Sequence, residues 1–382
     1  MLLLRGKTLY TPHQQLTEQE IFIENGFIQS IQPQNEQRLP EGIQVVDTGN
    51  DLIVPGFVDL QLNGGFGMDF TKNPESIWEV AQLLPRFGVT AFLPTIITSP
   101  LSTVAAAMDV IKKGSPKNFR GALPLGLHLE GPFLNPAKKG AHNPTLLQLP
   151  TQDKVADWTL ENGVRLVTLA PELPEALELI RILCERGMVV SAGHSAASYA
   201  EAETGIAAGV RYGTHIFNAM SALQHRDPGL PGALLTREEL IVGLIADGIH
   251  LHPAMVDLVW KMKGNRRLTL VSDAMAALGM APGKYELGFD FEVTVDDNSA
   301  RLADGTLAGS ILSPDQALRN FIQMTGCSLF DALPLLTSTP ANVLGNSQMG
   351  SLEIGNRADI VVLNQDGFVQ MTIAAGEIIY QS

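Results

Sequence analysis

Eight short apolar runs, each closed by a turn and followed by a helix-like stretch, constrain this chain more than any other feature of its sequence. They are "LIVPGFVDLQL" (52–62), "GVTAFLPTIIT" (88–98), "LPLGLHLEG" (123–131), "VRLVTLAPE" (164–172), "MVVSAGHS" (188–195), "VRYGTHIFN" (210–218), "LIVGLIADGIH" (240–250) and "RLTLVSDA" (267–274). Helical candidates fall between them, such as "PESIWEVAQLLPRFG" and "PEALELIRILCERG", the second bounded by the start and stop signals Pro174 and Gly187. Strands alternating with helices build parallel βαβ units. Eight of them over about 250 residues predict a TIM-type (β/α)8 barrel. The rival, an open doubly wound sheet, calls for a GxGxxG turn after the first strand, and none is present.

The two ends read differently. "IFIENGFIQSI" (21–31) is a pair of alternating runs around Asn25-Gly26, a strong hairpin signal, and the tail "ADIVVLNQDGFVQMTIAAGEIIY" has strand-like runs broken at Asp366-Gly367 and Ala375-Gly376. Neither end can hold a core alone, so both are expected to meet in one small β-sandwich. The domain division that follows is 1–51 and 346–382 for the sandwich and 52–345 for the barrel. A hairpin around Asp296-Asp297-Asn298 is expected as an insertion after the eighth run.

With 382 residues, 45% of them hydrophobic, the chain can build its core without staples, and its two cysteines, Cys184 and Cys327, lack the spacing of a disulfide framework or thiolate metal site. A net charge of −14 without a basic footprint argues against nucleic acid as a partner. "MLLLRGKTLYTP" is neither a signal peptide nor a membrane span, and no long apolar segment follows, so the expectation is a cytoplasmic protein with no membrane partner.

The chemistry collects at the ends of the eight runs. Glu130 closes the third, His194 the fifth, His215 the sixth, His250 the seventh and Asp273 the eighth. Catalytic residues of barrels project from the C-terminal strand ends. One histidine there is ordinarily a hydrogen-bonded rim residue; three imidazoles and two carboxylates at the same end of different strands are not explained that way. Two imidazoles and a carboxylate suit one catalytic zinc, and iron(II) or cobalt would tolerate the same donors. The first run offers Gln61 and Asn63, and neutral amides are poor ligands for such ions. One divalent metal per subunit is expected, not two. Asp273 reads best as a proton carrier beside it. His128 is assigned to the core or to a place behind the ligands, Lys138 and Lys139 to a solvated loop, Asp247 and His252 to capping or exposure, and His13 to the surface.

"PGFVDLQLNG", "LHLEGP", "KKGAHNP", "VSAGHS", "THIFNAM", "DPGLPGA", "IADGIH", "LVSDA", "LAGS" and "GNRADIVVLN", in that order, resemble the N-acetylglucosamine-6-phosphate deacetylase family of the amidohydrolase superfamily. Gln61-Leu62-Asn63 in place of His-x-His is similar to its single-metal branch. The resemblance implies hydrolysis of the acetamide of N-acetyl-D-glucosamine 6-phosphate to D-glucosamine 6-phosphate and acetate. It implies Glu130, His194 and His215 as metal ligands, Asp273 as acid/base and His142 as the group that helps polarise the acetyl carbonyl. Ala141, Asn218, Ala219, Arg226, His250, Leu307, Ala308 and Gly309 are implied to hold the sugar phosphate. A homodimer is implied too, with the Arg226 loop near the partner's site. Deacetylation of another N-acetylhexosamine phosphate, such as the galacto epimer, and a barrel that serves as a non-catalytic scaffold are the alternatives.

Overall fold

A computed structural model of the chain describes residues 1–35 and 42–382. Eight parallel strands run in chain order around the barrel: Phe57–Leu62, Val89–Ile97, Leu127–Glu130, Val164–Leu169, Val189–Ala192, Tyr212–Gly213, Ile241–Leu244 and Leu268–Leu270. The ring closes where Leu62 bridges Ala274, with the Asp273 N–H donating to the Gln61 carbonyl at 2.9 Å and the Asn63 N–H to the Ala274 carbonyl at 2.8 Å. Every residue of Val89–Ile97 is buried, as expected of a strand covered on both faces.

The connecting helices follow their apolar spacing. In Ala176–Glu185 the buried residues are Ala176, Leu179, Ile180 and Leu183, the stripe that a 3.6-residue period puts on one side. Pro85 ends the helix Ile77–Leu83, and a 3-10 turn over Leu84–Phe87 finishes that stretch.

Strands from both termini form a separate sheet-rich domain of eight strands around its own core, which includes Leu4, Ile21, Ile28, Ile53, Ile360 and Ile373. Asn25 and Gly26 both take positive φ (52° and 83°), as a two-residue hairpin turn requires. The run at 52–62 is divided: Leu52–Pro55 lies antiparallel to Ile360–Leu363 in the terminal sheet, and the first barrel strand begins at Phe57. The chain thus passes between domains within a single apolar run, which periodicity cannot reveal.

The expected hairpin around Asp296 is there, between Phe291–Val295 and Ala300–Arg301, with a further strand, Gly283–Leu287, on its other side. This three-stranded insertion shares an apolar cluster with Ile97, Met275 and Ala308. The Asp69 carboxylate accepts from the Gly288 N–H at 3.1 Å and ties the insertion to the first barrel loop.

The barrel interior is less apolar than the fold alone would suggest. His128 is fully buried, with Nε2 2.7 Å from Thr168 Oγ1 and Nδ1 3.3 Å from Thr95 Oγ1, and Thr168 continues to Thr214 at 2.7 Å. Burial pushes this imidazole down to about 4. It is a core residue linked to neutral hydroxyls and has no part in the cluster described next.

Candidate active site

Glu130 ends the third strand, His194 follows the fifth by two residues, His215 the sixth by two and Asp273 the eighth by three. All four are buried side chains at one rim of the barrel. His194 Nε2 lies 3.1 Å and His215 Nε2 2.9 Å from the same oxygen, Glu130 Oε1. One ligand atom from each of the three residues falls within 4.8 Å of the others. His194, His215 and Asp273 have φ of 47°, 29° and 48°. Such left-handed backbone costs about 1–3 kcal/mol per residue and is held only where the surroundings enforce it. Here it turns side chains from three strand ends toward one point.

One hydrogen bond on the far side of His194 sets which of its nitrogens faces Glu130 as a possible ligand. Its Nδ1 is 2.8 Å from the Lys138 carbonyl oxygen, so Nδ1 carries a proton and donates. With Nδ1 donating there, Nε2 is the ring atom free to ligate a cation shared with the Glu130 carboxylate. His215 Nδ1 is buried without a partner among the described residues, and its Nε2 faces the same oxygen. The donor set and its geometry fit one divalent metal. Burial opposes ionisation of Glu130, but hydrogen bonds and charge from the two imidazoles overcome it and hold the carboxyl well below its usual range.

His142 stands beside this cluster, its ring 4.5 Å from that of His194 and its Nε2 4.0 Å from Glu130 Oε2. Nδ1 faces the Thr98 hydroxyl at 2.8 Å and accepts the Thr98 backbone N–H at 3.3 Å. Burial, reinforced by His194, pushes its pKa down to about 3. The ring is therefore neutral, and because Nδ1 is an acceptor its one proton sits on Nε2. Asp273 is raised, first by burial and then by the charge of Glu130, against His215 and an Asn63 hydrogen bond. A carboxyl so placed is suited to taking and returning a proton.

A cavity of about 310 Å³ opens over these residues, within the range of small-molecule sites. Its wall includes Glu130, His142, His194, His215, Asp273, Ala141, Asn218, Ala219, His250, Leu307 and Gly309 from the sequence reading. Two residues of that set lie elsewhere. Ala308 is fully buried in the insertion's apolar cluster, so only its neighbours face the cavity. Arg226 is exposed on its loop and does not line the cavity of its own chain.

Other residues were missed from sequence. Lys138, assigned to a solvated loop, lines the cavity and supplies the carbonyl that orients His194. Asp247 takes the backbone N–H groups of Ile249 and His250 on one oxygen and His250 Nδ1 at 2.6 Å on the other, which fixes the His250 ring. The Asp-x-x-His spacing was the available signal. Glu172 accepts from Asn135 Nδ2, Ser195 Oγ and the Ala196 N–H, and so joins the loop carrying Lys138 and His142 to the loop carrying His194. His252 caps the helix Pro253–Lys263, and His13 is exposed, as read from the sequence.

A closed barrel with a Glu/His/His cluster and a buried acid at its C-terminal rim defines a metal-dependent hydrolase of the amidohydrolase type, and residues 52–379 match the amidohydrolase family. The chain is 42% identical over 354 residues to human N-acetylglucosamine-6-phosphate deacetylase, covering 88% of this chain and 85% of that one. The Bacillus subtilis deacetylase of the same name is 33% identical over 100% of this chain and 98% of its own, and the N-acetylgalactosamine-6-phosphate deacetylase of Escherichia coli O157:H7 is 36% identical over 98% of each. Among solved structures, N-acetylglucosamine-6-phosphate deacetylase from Pasteurella multocida superposes with a TM-score of 0.92 at 30% identity, over 100% of both chains. A mutant of the Mycobacterium smegmatis enzyme in complex with N-acetyl-D-glucosamine-6-phosphate superposes with a TM-score of 0.90 at 31% identity, over 100% of this chain and 99% of that one. The chain belongs to the amidohydrolase family, in the branch of the N-acetylglucosamine-6-phosphate deacetylases.

Proposed function

We propose that this chain hydrolyses the acetamide of N-acetyl-D-glucosamine 6-phosphate, giving D-glucosamine 6-phosphate and acetate in amino-sugar metabolism. The observation that carries this reading is the convergence of a metal-fitting Glu130/His194/His215 cluster, a buried Asp273 and an Nε2–H of His142 on one cavity, in a chain 42% identical to a named deacetylase.

Glu130, His194 and His215 are the residues that would hold the metal, with zinc the element best suited to the donors. When bound, it supplies Lewis acidity that makes water a competent nucleophile near neutral pH and polarises the acetyl carbonyl. His142 donates its Nε2 proton toward the carbonyl oxygen, where negative charge grows as the carbon becomes tetrahedral. Asp273 accepts the proton that the attacking water gives up. It then delivers that proton to the amide nitrogen as the C–N bond breaks, since an amine cannot leave as an anion. Acetate and the free amine result, and Asp273 returns to its starting state.

The sugar phosphate is assigned to Ala141, Asn218, Ala219, His250 and the Leu307–Gly309 segment. Ala308 contributes only by setting the backbone there. Arg226, with a guanidinium suited to bidentate phosphate contact, is assigned to the site of the second subunit in a cytoplasmic homodimer. Its exposure outside its own chain's cavity supports that arrangement.

Acetate release from N-acetylglucosamine 6-phosphate, its galacto epimer and the dephosphorylated sugar tests the proposal. The gluco phosphate should be the best substrate; a preference for the galacto epimer would move the assignment to that sugar. No release from any of the three by protein carrying about one metal per chain would sink it.

A further inference from the structure

Both buried carboxylates of the cavity are held by amide side chains at the end of the first strand and just beyond it. Gln61 Nε2 donates to Glu130 Oε1 and to Asp273 Oδ1, each at 3.1 Å, and Asn63 Nδ2 donates to Asp273 Oδ1 at 2.8 Å. Gln61 is 1% and Asn63 3% exposed, so none of the three bonds is shared with bulk solvent. Both donors fall on one oxygen of Asp273, and among the described residues no side chain donates to the other, Oδ2. The backbone adds to the grip, since the Asp273 N–H and the Ser272 hydroxyl both donate to the Gln61 carbonyl.

We propose that Asn63 and Gln61 are positioning residues with separable duties: Asn63 orients Asp273 alone, while Gln61 braces Asp273 and the metal-fitting Glu130 together. The inference rests on the hydrolytic reading above for its catalytic arm only. A carboxylate with two donors on Oδ1 cannot turn about its Cβ–Cγ bond without breaking them. Oδ2 is therefore the oxygen left to exchange a proton with the reacting groups. Neutral amides have a further consequence. A cation in their place would take Asp273 as a ligand and lower its basicity, whereas N–H donors fix the group and leave it able to accept a proton.

The test compares Asn63→Leu and Gln61→Leu with the wild type for metal affinity by chelator competition, and for kcat and KM in acetate release. Asn63→Leu should retain wild-type metal affinity and KM within about threefold while kcat falls about 10- to 100-fold, the usual scale for misplacing a reacting group. Gln61→Leu should lose kcat and also about tenfold in metal affinity, as removal of a group that braces a ligand does. In an Asp273→Asn background Asn63→Leu should cost nothing more, because it acts through Asp273. Equal metal loss in both variants, an unchanged kcat in Asn63→Leu, or a full additional loss in the double variant would overturn the inference. Asn63→Ala repeats the test in a smaller side chain, and failure of both Asn63 variants to fold would also overturn it, by making the amide a determinant of the fold. If the wild type releases no acetate, the substrate reading fails by itself, and the predicted contrast in metal affinity still decides between the two duties.

Discussion

His194 Nδ1 lies 2.8 Å from the carbonyl oxygen of Lys138, and this contact ties the metal-fitting cluster to the loop that lines the cavity. The carbonyl fixes the imidazole tautomer and aims Nε2 at Glu130. In the same loop Gly140 has φ +53°, and a Cβ there would come 3.1 Å from His194 Cε1. Gly140→Ala is therefore expected to push the ring away from Glu130 and weaken metal binding about tenfold, within the range seen for groups that orient metal-bound histidines. Zinc affinity measured against a chelator checks this.

Asp273→Asn leaves all three metal-fitting side chains in place and removes the proton carrier. The expected result is one metal per chain, as in the wild type, with turnover reduced about 10²–10⁴-fold. Metal analysis and acetate release on the same sample separate the two effects. Retained turnover would take Asp273 out of the mechanism.

Arg226 does not line its own chain's cavity, so its contribution is expected to depend on the phosphate and on association. Arg226→Ala should raise KM for the phosphorylated sugar about 10- to 100-fold, the equivalent of a charge-assisted hydrogen-bonded contact. The same change should leave KM for the dephosphorylated sugar unaltered. Sedimentation of the wild type should show a dimer; a monomer with full activity would remove the proposed role for the partner.

Asp59 gives a pH signature of its own. It is fully buried, with Oδ1 accepting the Gln61 N–H at 3.1 Å and the Ser272 N–H at 3.3 Å while Oδ2 has no partner among the described residues. Burial, against those hydrogen bonds, pushes its pKa up to about 7, from 3.8. Below 3.8 both folded and unfolded chains hold the proton and the contribution is complete. Between 3.8 and 7 the unfolded chain releases it first, so this contribution to stability is lost as pH rises and is gone above 7. Relative to Asp59→Asn, the wild type should lose about 2 kcal/mol of stability between pH 5 and pH 7. Urea unfolding of the two proteins across that range measures it, and parallel curves would place the Asp59 pKa near its ordinary value.

Several features were legible from residue order because they are local. Alternating apolar runs and helical stripes fix the parallel barrel, and the turn pair Asn25-Gly26 takes the positive φ values that its hairpin needs. Glu130, His194, His215 and Asp273 could be picked out as polar residues ending apolar runs, since a strand projects its last side chains at the rim whatever its neighbours are. The division of the 52–62 run between two sheets was not legible, because both destinations bury the same kinds of side chain.

The rest depended on closure of the ring. Only when the first strand meets the eighth does Gln61 come within reach of both Glu130 and Asp273, and no period in the sequence encodes that approach. The protonation of His142 and His194 is likewise set by a Thr98 N–H and a Lys138 carbonyl, main-chain groups that every residue possesses and that no residue type announces. Sequence determined which side chains would stand at the rim, because strand and helix periods are properties of neighbouring residues. Tertiary structure alone decided which atoms face one another there, because those distances are fixed by packing among segments far apart in the chain.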